Sequence, residues 1–497
     1  MTLYPVKTLV RPTIPIAIVA LFGGCPPVLD TDLTPQPAAE GQHLLRLVHI
    51  TDPQIVDEES PARAVRFSEF SSGAWRPQEA FGVHTLDATL QAINRLHEAG
   101  ATTDRPVDFV VVTGDLADSA QHNELQWFLD TMDGAVVTPD SGVLDGVDRA
   151  VPPELNPKLA YDAVGLDRDI PWYTCFGNHD GLAVGNFPIN RDPLAQNDWF
   201  APLLAPVAQL LGFHELALDN NAMRATDNWS PIALLGSGVP VTTPNYRLDY
   251  ARVSPGAIIP DGARRFLSKE DFIALHLASE STPTGHGFTQ ESRQTGATYY
   301  SVRPLPDVPL RLIVFDSVAD NKPYGIPAYF GVLERAHFEQ FILPELAAAA
   351  EAEEWVILAS HHPASDFDLG LVGDRVRAGE FRTAVAQYPN VIMHLNGHTH
   401  IERADIVRGA NPYLEISTSA IIDYPQEGRA LDIFLEADAK TIRVESHRFS
   451  HRDAPTTFSA ESFRLATIDA AFQSTDDGAK SEGDGGIYGD FSIRLRR

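Results

Sequence analysis

Five short apolar runs, each ending in a small group of Asp, Asn, Gln or His residues, constrain this chain more than any other feature of its sequence. Residues 44–50 lead into Thr51-Asp52-Pro53-Gln54, 107–112 into Thr113-Gly114-Asp115, and 171–176 into Gly177-Asn178-His179-Asp180. Residues 355–359 lead into Ser360-His361-His362-Pro363, and 391–395 into Asn396-Gly397-His398-Thr399-His400. Each run has strand length and is bounded by Gly, Pro or Asx residues. Between the first two, Leu86, Leu90, Ile93 and Leu96 recur at helical spacing until Gly100, so the pattern predicts a βαβ unit. A second helix is expected over 121–132, with Leu125, Phe128, Leu129 and Met132 on one face, and others near 332–352 and 376–386. Strands alternating with helices make an α/β layered domain, with the polar groups gathered at the carboxyl ends of the strands, where such folds place ligands.

Length and charge narrow the alternatives. A chain of 497 residues exceeds the size at which one core stops growing, so one large domain with insertions or two domains is expected. The 67 acidic against 38 basic residues give a net charge of −29, a field that repels nucleic acid. Two cysteines, Cys25 and Cys175, rule out a disulfide framework as the main source of stability, and Cys175, at the end of an apolar run, reads as a buried thiol.

Lys7 and Arg11 precede an apolar stretch at 14–22, too short to span a bilayer, and then Gly23-Gly24-Cys25. Residues 1–25 therefore read as a signal peptide, and the tripeptide before Cys25 resembles the lipobox of bacterial lipoproteins. The expectation is an exported, membrane-anchored lipoprotein, periplasmic or at the cell surface, with the Pro-rich residues 26–42 as linker. The folded domain is expected over 43–450. Residues 134–170 and about 181–295, rich in Pro, Gly and Asn, read as insertions over one rim of the site. The second should carry a helix opening at Ser268, with Asp271 completing a capping box. Residues 413–419, 430–435 and 441–449 read as strands. Residues 451–497 form a C-terminal extension whose acidic, Gly-rich tail from about 474 reads as disordered, with 491–495 able to add a strand.

Carboxylate, Asn amide and imidazole are ligands for Mn, Fe or Zn, and a pair of such ions needs about six to eight donors converging from several elements. Singly, Asp115 reads as a turn cap and His398 or His400 as a surface histidine. Jointly, Asp52, Asp115, Asn178, His361, His398 and His400 supply the required set, with His362 read as packing beside it.

In this order the motifs resemble the calcineurin-like metallophosphoesterase superfamily, whose signature runs D-x-H, G-D-x-x, G-N-H-[DE], a His before an [HY]-P pair, and G-H-x-H. The resemblance implies an α/β fold, a four-layer α/β/β/α sandwich of two mixed sheets with large insertions. It makes Asp115 the bridging carboxylate, places Asp52 and His400 on a first metal, and places Asn178, His361 and His398 on a second. It also implies a water or hydroxide between the ions as nucleophile, His179 as the group that protonates the leaving alkoxide or stabilises the phosphoryl group, and Asp180 as its orienting carboxylate. The implied activity is hydrolysis of a small phosphomonoester or phosphodiester. Residues 415–429, with Asp423-Tyr424-Pro425-Gln426, resemble exported bacterial members with long insertions.

One position departs from the pattern. Gln54 stands where the family has a histidine ligand of the first metal. Three outcomes stay open: Gln54 binds through its oxygen, holds a water that binds, or leaves the first site weak or selective for an ion such as Mn. This departure also sustains the rival reading, a binding protein that keeps the fold with weakened catalysis. Arg63, Trp75, Arg76 and His286 are candidates to line a substrate pocket, although surface solvation or loop packing is the stronger reading for each.

Overall fold

The computed structural model describes residues 41–58, 60, 76–141, 156–183, 185, 187–188, 227–228, 256–257, 261–318, 329–369, 373–473 and 486–496. Residues 1–25, expected as a signal peptide, with Cys25, nearly all of the expected linker, Arg63, Trp75, most of the second insertion and the acidic residues 474–485 lie outside them. Within the described residues twelve strands form two six-stranded sheets. In chain order these are β1 (Gln42–Ile50), β2 (Phe109–Val112), β3 (Trp172–Thr174), β4 (Tyr300–Val302), β5 (Leu310–Val314) and β6 (Trp355–Ala359), followed by β7 (Val391–Asn396), β8 (Arg403–Val407), β9 (Tyr413–Ser417), β10 (Glu427–Leu435), β11 (Thr441–Ser450) and β12 (Phe491–Arg496). The helices that matter for the site are α1 (Gly82–Ala101), α2 (His122–Asp133), α3 (Lys269–Ala278), α4 (Leu343–Glu351), α5 (Ala378–Val385) and α6 (Thr457–Gln473).

The first sheet runs β12-β11-β10-β1-β2-β3, parallel across β1, β2 and β3 and antiparallel elsewhere. The second runs β4-β5-β6-β7-β9-β8, parallel in the middle with an antiparallel strand at each edge. Parallel strands are covered on both faces, which is why their segments are nearly continuous apolar runs. The extreme case is β2, Phe109 followed by three β-branched valines, all buried. Alternation along the second sheet separates two cores. Leu312, Val314, Ile357 and Ala359 join the main core with the first sheet, α1 and α2. Ile313, Val356 and Leu358 turn to the opposite side and meet Phe338, Ile342 and Leu346 of the α4 segment and Phe381 and Val385 of α5. The result is the expected four-layer order of helices, two sheets and helices.

Local signals hold where they were strongest. Helix α3 opens on Ser268, whose Oγ accepts from Asp271 N at 3.1 Å while Asp271 Oδ2 accepts from Ser268 N at 3.3 Å. The C-terminal part of the chain completes the fold: β12 pairs on the edge of the first sheet, and α6 lies on α1, with Thr85 Oγ1 donating to Ser462 Oγ at 2.8 Å. The first insertion is tied down by buried ion pairs, Lys158 with Glu58 (2.9 Å) and Asp140 (3.2 Å).

The aromatic centre of the second core gives a stability test. Phe381 is fully buried, with ring centroids 5.6 Å from Phe315, 5.5 Å from Phe367 and 5.6 Å from His394. Phe381→Ala is expected to cost about 3–5 kcal/mol, read as a lowered denaturant midpoint. An unchanged midpoint would mean that this layer does not pack as described.

Candidate metal centre

The strand ends named from sequence meet at one end of the cleft between the sheets. Asp52 and Gln54 follow β1, Asp115 follows β2, Asn178 follows β3, His361 follows β6, and His398 and His400 follow β7. Backbone hydrogen bonds stitch these turns together: Gln54 N to Asp115 O at 2.9 Å, Asp52 N to Gly114 O at 3.2 Å, and Gly397 N to His361 O at 2.8 Å. Five of the residues have left-handed backbone, Asp52 (φ 50°), Gln54 (39°), Asp115 (51°), His398 (66°) and His400 (55°). Each such residue costs on the order of 1–3 kcal/mol, and the surrounding ladder must hold it there. Two glycines allow the close approach. A Cβ on Gly177 would lie 2.1 Å from Asp115 Oδ1, and one on Gly397 would lie 1.9 Å from Thr51 Oγ1.

The side chains converge. Ligand atoms of Asp52, Asp115 and His361 lie within 4.8 Å of one another, as do those of His361, His362 and His398. Asn178 Oδ1 stands 2.9 Å from His361 Nε2 and 3.1 Å from His398 Nδ1. His400 Nε2 is 3.3 Å from Asp52 Oδ1. Each of these three imidazoles has its other nitrogen occupied behind it, as metal-binding histidines do. His361 Nδ1 donates to Thr113 O at 2.7 Å, His400 Nδ1 donates to Asp423 Oδ2 at 2.6 Å, and His398 Nε2 is 3.3 Å from Asp366 Oδ2. His362 differs. Both its nitrogens are engaged, with Ser317 Oγ at 2.9 Å and Tyr329 O at 3.0 Å, so it packs beside the centre.

Two observations show that the residues fit a pair of cations. Gln54 Oε1 is a buried oxygen without a hydrogen-bond partner among the described residues, which is costly unless a cation answers it, and the buried Asp52 Oδ1 faces the His400 ring at 3.3 Å. The donor set, two carboxylates, two amides and three imidazoles, is also that of Mn, Fe or Zn sites. The electrostatics point the same way. Burial opposes a charged ring at His361 and His400, yet Asp115 lifts the first to about 9, and Asp52 and Asp423 lift the second to about 10. Against the cost of burial, His400 and His361 hold Asp52 low, and His361 and His179 hold Asp115 low. Without metal, protons balance the buried carboxylates.

Other sequence expectations fall out differently. Asp180 does not touch the His179 ring. Its oxygens accept from the backbone amides of Leu116 (2.9 Å), Ala117 (3.0 Å) and Gly177 (2.9 Å), so it clamps two ligand turns together. Asp118 orients His179 instead: His179 Nδ1 donates to Asp118 O at 2.5 Å and is 3.5 Å from Asp118 Oδ1. His179 N also donates to Asp115 Oδ1 at 2.8 Å. Arg76 is buried behind the centre with its Nε 2.9 Å from Asp423 Oδ1, not in a substrate pocket. His286 is buried against Trp172, ring centroids 3.6 Å apart, with Nε2 2.9 Å from Ser279 Oγ, and acts in packing. Sequence reading assigned no role to Asp118, Asp366 or Asp423. Of these, Asp118 carried a signal in its place in Gly114-Asp115-Leu116-Ala117-Asp118, and Asp423 in the Asp423-Tyr424-Pro425-Gln426 segment.

Residues 45–292 match the family model described as calcineurin-like phosphoesterase. The chain belongs to this family. The matched span holds Asp52, Asp115 and Asn178, and the fold brings His361, His398 and His400 to them from beyond it. Among solved structures, a dimetal phosphatase from Danio rerio is 11% identical, covering 82% of this chain and 99% of its own, with a TM-score of 0.38, a score at which the likeness carries no weight. No curated protein matches the chain.

The raised imidazole pKa values set a pH dependence for the metal-free protein. A histidine lifted from 6.5 to about 9 or 10 contributes stability that is complete below pH 6.5 and lost as pH rises through the folded values. With chelator, the melting temperature is expected to fall from pH 7 to 10. Calorimetry at pH 7 in buffers of different ionisation enthalpy should show about two protons released as two metal ions bind. Uptake without proton release would contradict this electrostatic account.

Proposed function

We propose that the protein hydrolyses a small phosphomonoester or phosphodiester with two divalent ions held in this centre. The observation that carries the proposal is the convergence, in one cleft, of donors from five separate strand ends, together with the buried Gln54 Oε1 that has no hydrogen-bond partner among the described residues. Asp52, Gln54 through Oε1, Asp115 and His400 would hold the first ion, and Asp115, Asn178, His361 and His398 the second. When bound, such a pair supplies positive charge to the phosphoryl oxygens and acidifies water, the nucleophile of the reaction. The first set has one imidazole and is otherwise oxygen, which favours a harder ion such as Mn there.

The protein's own groups complete the chemistry. With Nδ1–H held by Asp118 O, His179 has Nε2 as its proton-carrying atom toward the leaving alkoxide. Asp115 fixes the backbone of the same residue through His179 N, so carboxylate and proton donor keep a set relation. Gln54 is the feature that favours the second reading, a binding protein with weakened turnover.

Hydrolysis of bis-p-nitrophenyl phosphate and p-nitrophenyl phosphate by the purified protein should require added Mn and stop with chelator. Asp115→Asn should lose at least about 100-fold. His179→Ala should lose more on alkyl phosphates, whose leaving group needs the proton, than on p-nitrophenyl esters, with about 100- to 10,000-fold as the scale for general acid catalysis. No metal-dependent activity in the parent, or full activity in Asp115→Asn, would sink the proposal. We also propose export with a lipid on Cys25, argued from the sequence around it. Cys25→Ala should move the protein from the membrane fraction to the soluble one, and its retention there would contradict the anchor.

A further inference from the structure

Behind the cluster lies a chain of buried charges that metal ligation does not itself require. Asp423, in the loop after β9, accepts His400 Nδ1–H on Oδ2 at 2.6 Å, and Gln78 Nε2 donates to its Oδ1 at 3.1 Å. The Arg76 guanidinium lies against the same carboxylate, Nε 2.9 Å from Oδ1 and 3.1 Å from Oδ2. On its other side Arg76 Nη1 is 3.8 Å from Asp118 Oδ1, a carboxylate oxygen that stands 3.5 Å from His179 Nδ1, while the backbone carbonyl of Asp118 accepts the hydrogen bond from that ring. Arg76 is 4% exposed, and its backbone N donates to Glu79 Oε1 at 2.8 Å, so the turn ahead of α1 fixes its position. One guanidinium thus stands between two carboxylates, each behind a different imidazole of the centre.

We propose that Arg76 and Asp423 are positioning residues that secure the first metal site and couple it to the proton donor His179. A buried carboxylate behind a ligand imidazole fixes the ring and makes it a stronger donor, but it is costly unless a cation neutralises it. Arg76 supplies that cation. The arrangement occurs where the family's second imidazole has been replaced by Gln54, so the remaining imidazole of that site is the one strengthened. In the other site His361 is backed by the neutral carbonyl of Thr113 at 2.7 Å and His398 by the Asp366 carboxylate at a longer 3.3 Å. The inference rests on the phosphoesterase reading only for its link to His179; its metal-affinity part is independent.

The test uses the full chain and Mn(II) alone, titrated by electron paramagnetic resonance, with turnover of p-nitrophenyl and alkyl phosphates measured in parallel. Asp423→Asn, isosteric with the parent, should weaken one of two classes of Mn site by about 10- to 100-fold and leave the other unchanged. Arg76→Met should weaken the same class and, at saturating Mn, lower kcat more for alkyl than for p-nitrophenyl esters, with Arg76→Lys restoring part of both. A general loss of packing would not produce that leaving-group dependence. Parent-like Mn affinity in folded Asp423→Asn, or equal weakening of both classes, overturns the proposal, and so does a parent that binds no Mn. A parent that binds two Mn ions but hydrolyses neither ester defeats the proposed function while the titration still decides this inference.

Discussion

Two carboxylates, Asp52 and Asp115, are sealed between the sheets at 0% and 1% exposure, and much of the local structure follows from keeping them there. Buried charge of one sign must be balanced. In the metal-free state His361 and His400 balance it as imidazolium rings, and the same atoms would form a ligand set were cations to replace those protons. The surrounding turns serve this balance. Left-handed backbone at five of the seven ligand positions, glycines where a Cβ would collide, and Asp180 locking the amides of two turns all trade local stability for convergence.

The two halves of the centre are unequal. Asn178, His361 and His398 bring two imidazoles to one side, while Gln54 leaves the other with His400 alone. On the poorer side His400 is supported through Asp423 and Arg76; on the other His361 rests on a backbone carbonyl and His398 on the Asp366 carboxylate at 3.3 Å. Arg76 also reaches toward Asp118, so the support of the first site and the orientation of His179 share one buried residue.

Much of this was legible in the sequence for a physical reason. Central parallel strands, buried on both faces, read as apolar runs, and the turns after them read as groups of ligand residues, so β1, β2, β3, β6 and β7 and the residues at their ends stood out. The cap at Ser268 was legible because it is local. The edge strand β8 was not, since Arg403 and Asp405 interrupt its apolar pattern, and Arg311, paired with Glu354 and Glu345, similarly masks β5. The roles of Asp180, Asp118, Asp423 and Arg76 depend on contacts between segments far apart in the chain. Arg76 stood as a candidate for the pocket beside the stronger reading of solvation or packing, because an arginine near a motif carries no sign of which way it faces. His286 resolved into core packing for the same reason.

The central claim is that the cleft holds two ions in unequal sites. Anomalous diffraction from crystals grown with Mn tests it most directly. Two peaks are expected, one bounded by Asp52, Gln54, Asp115 and His400 and the other by Asp115, Asn178, His361 and His398, with the first losing occupancy sooner as Mn is withdrawn. A single peak, or none among these residues, would contradict it.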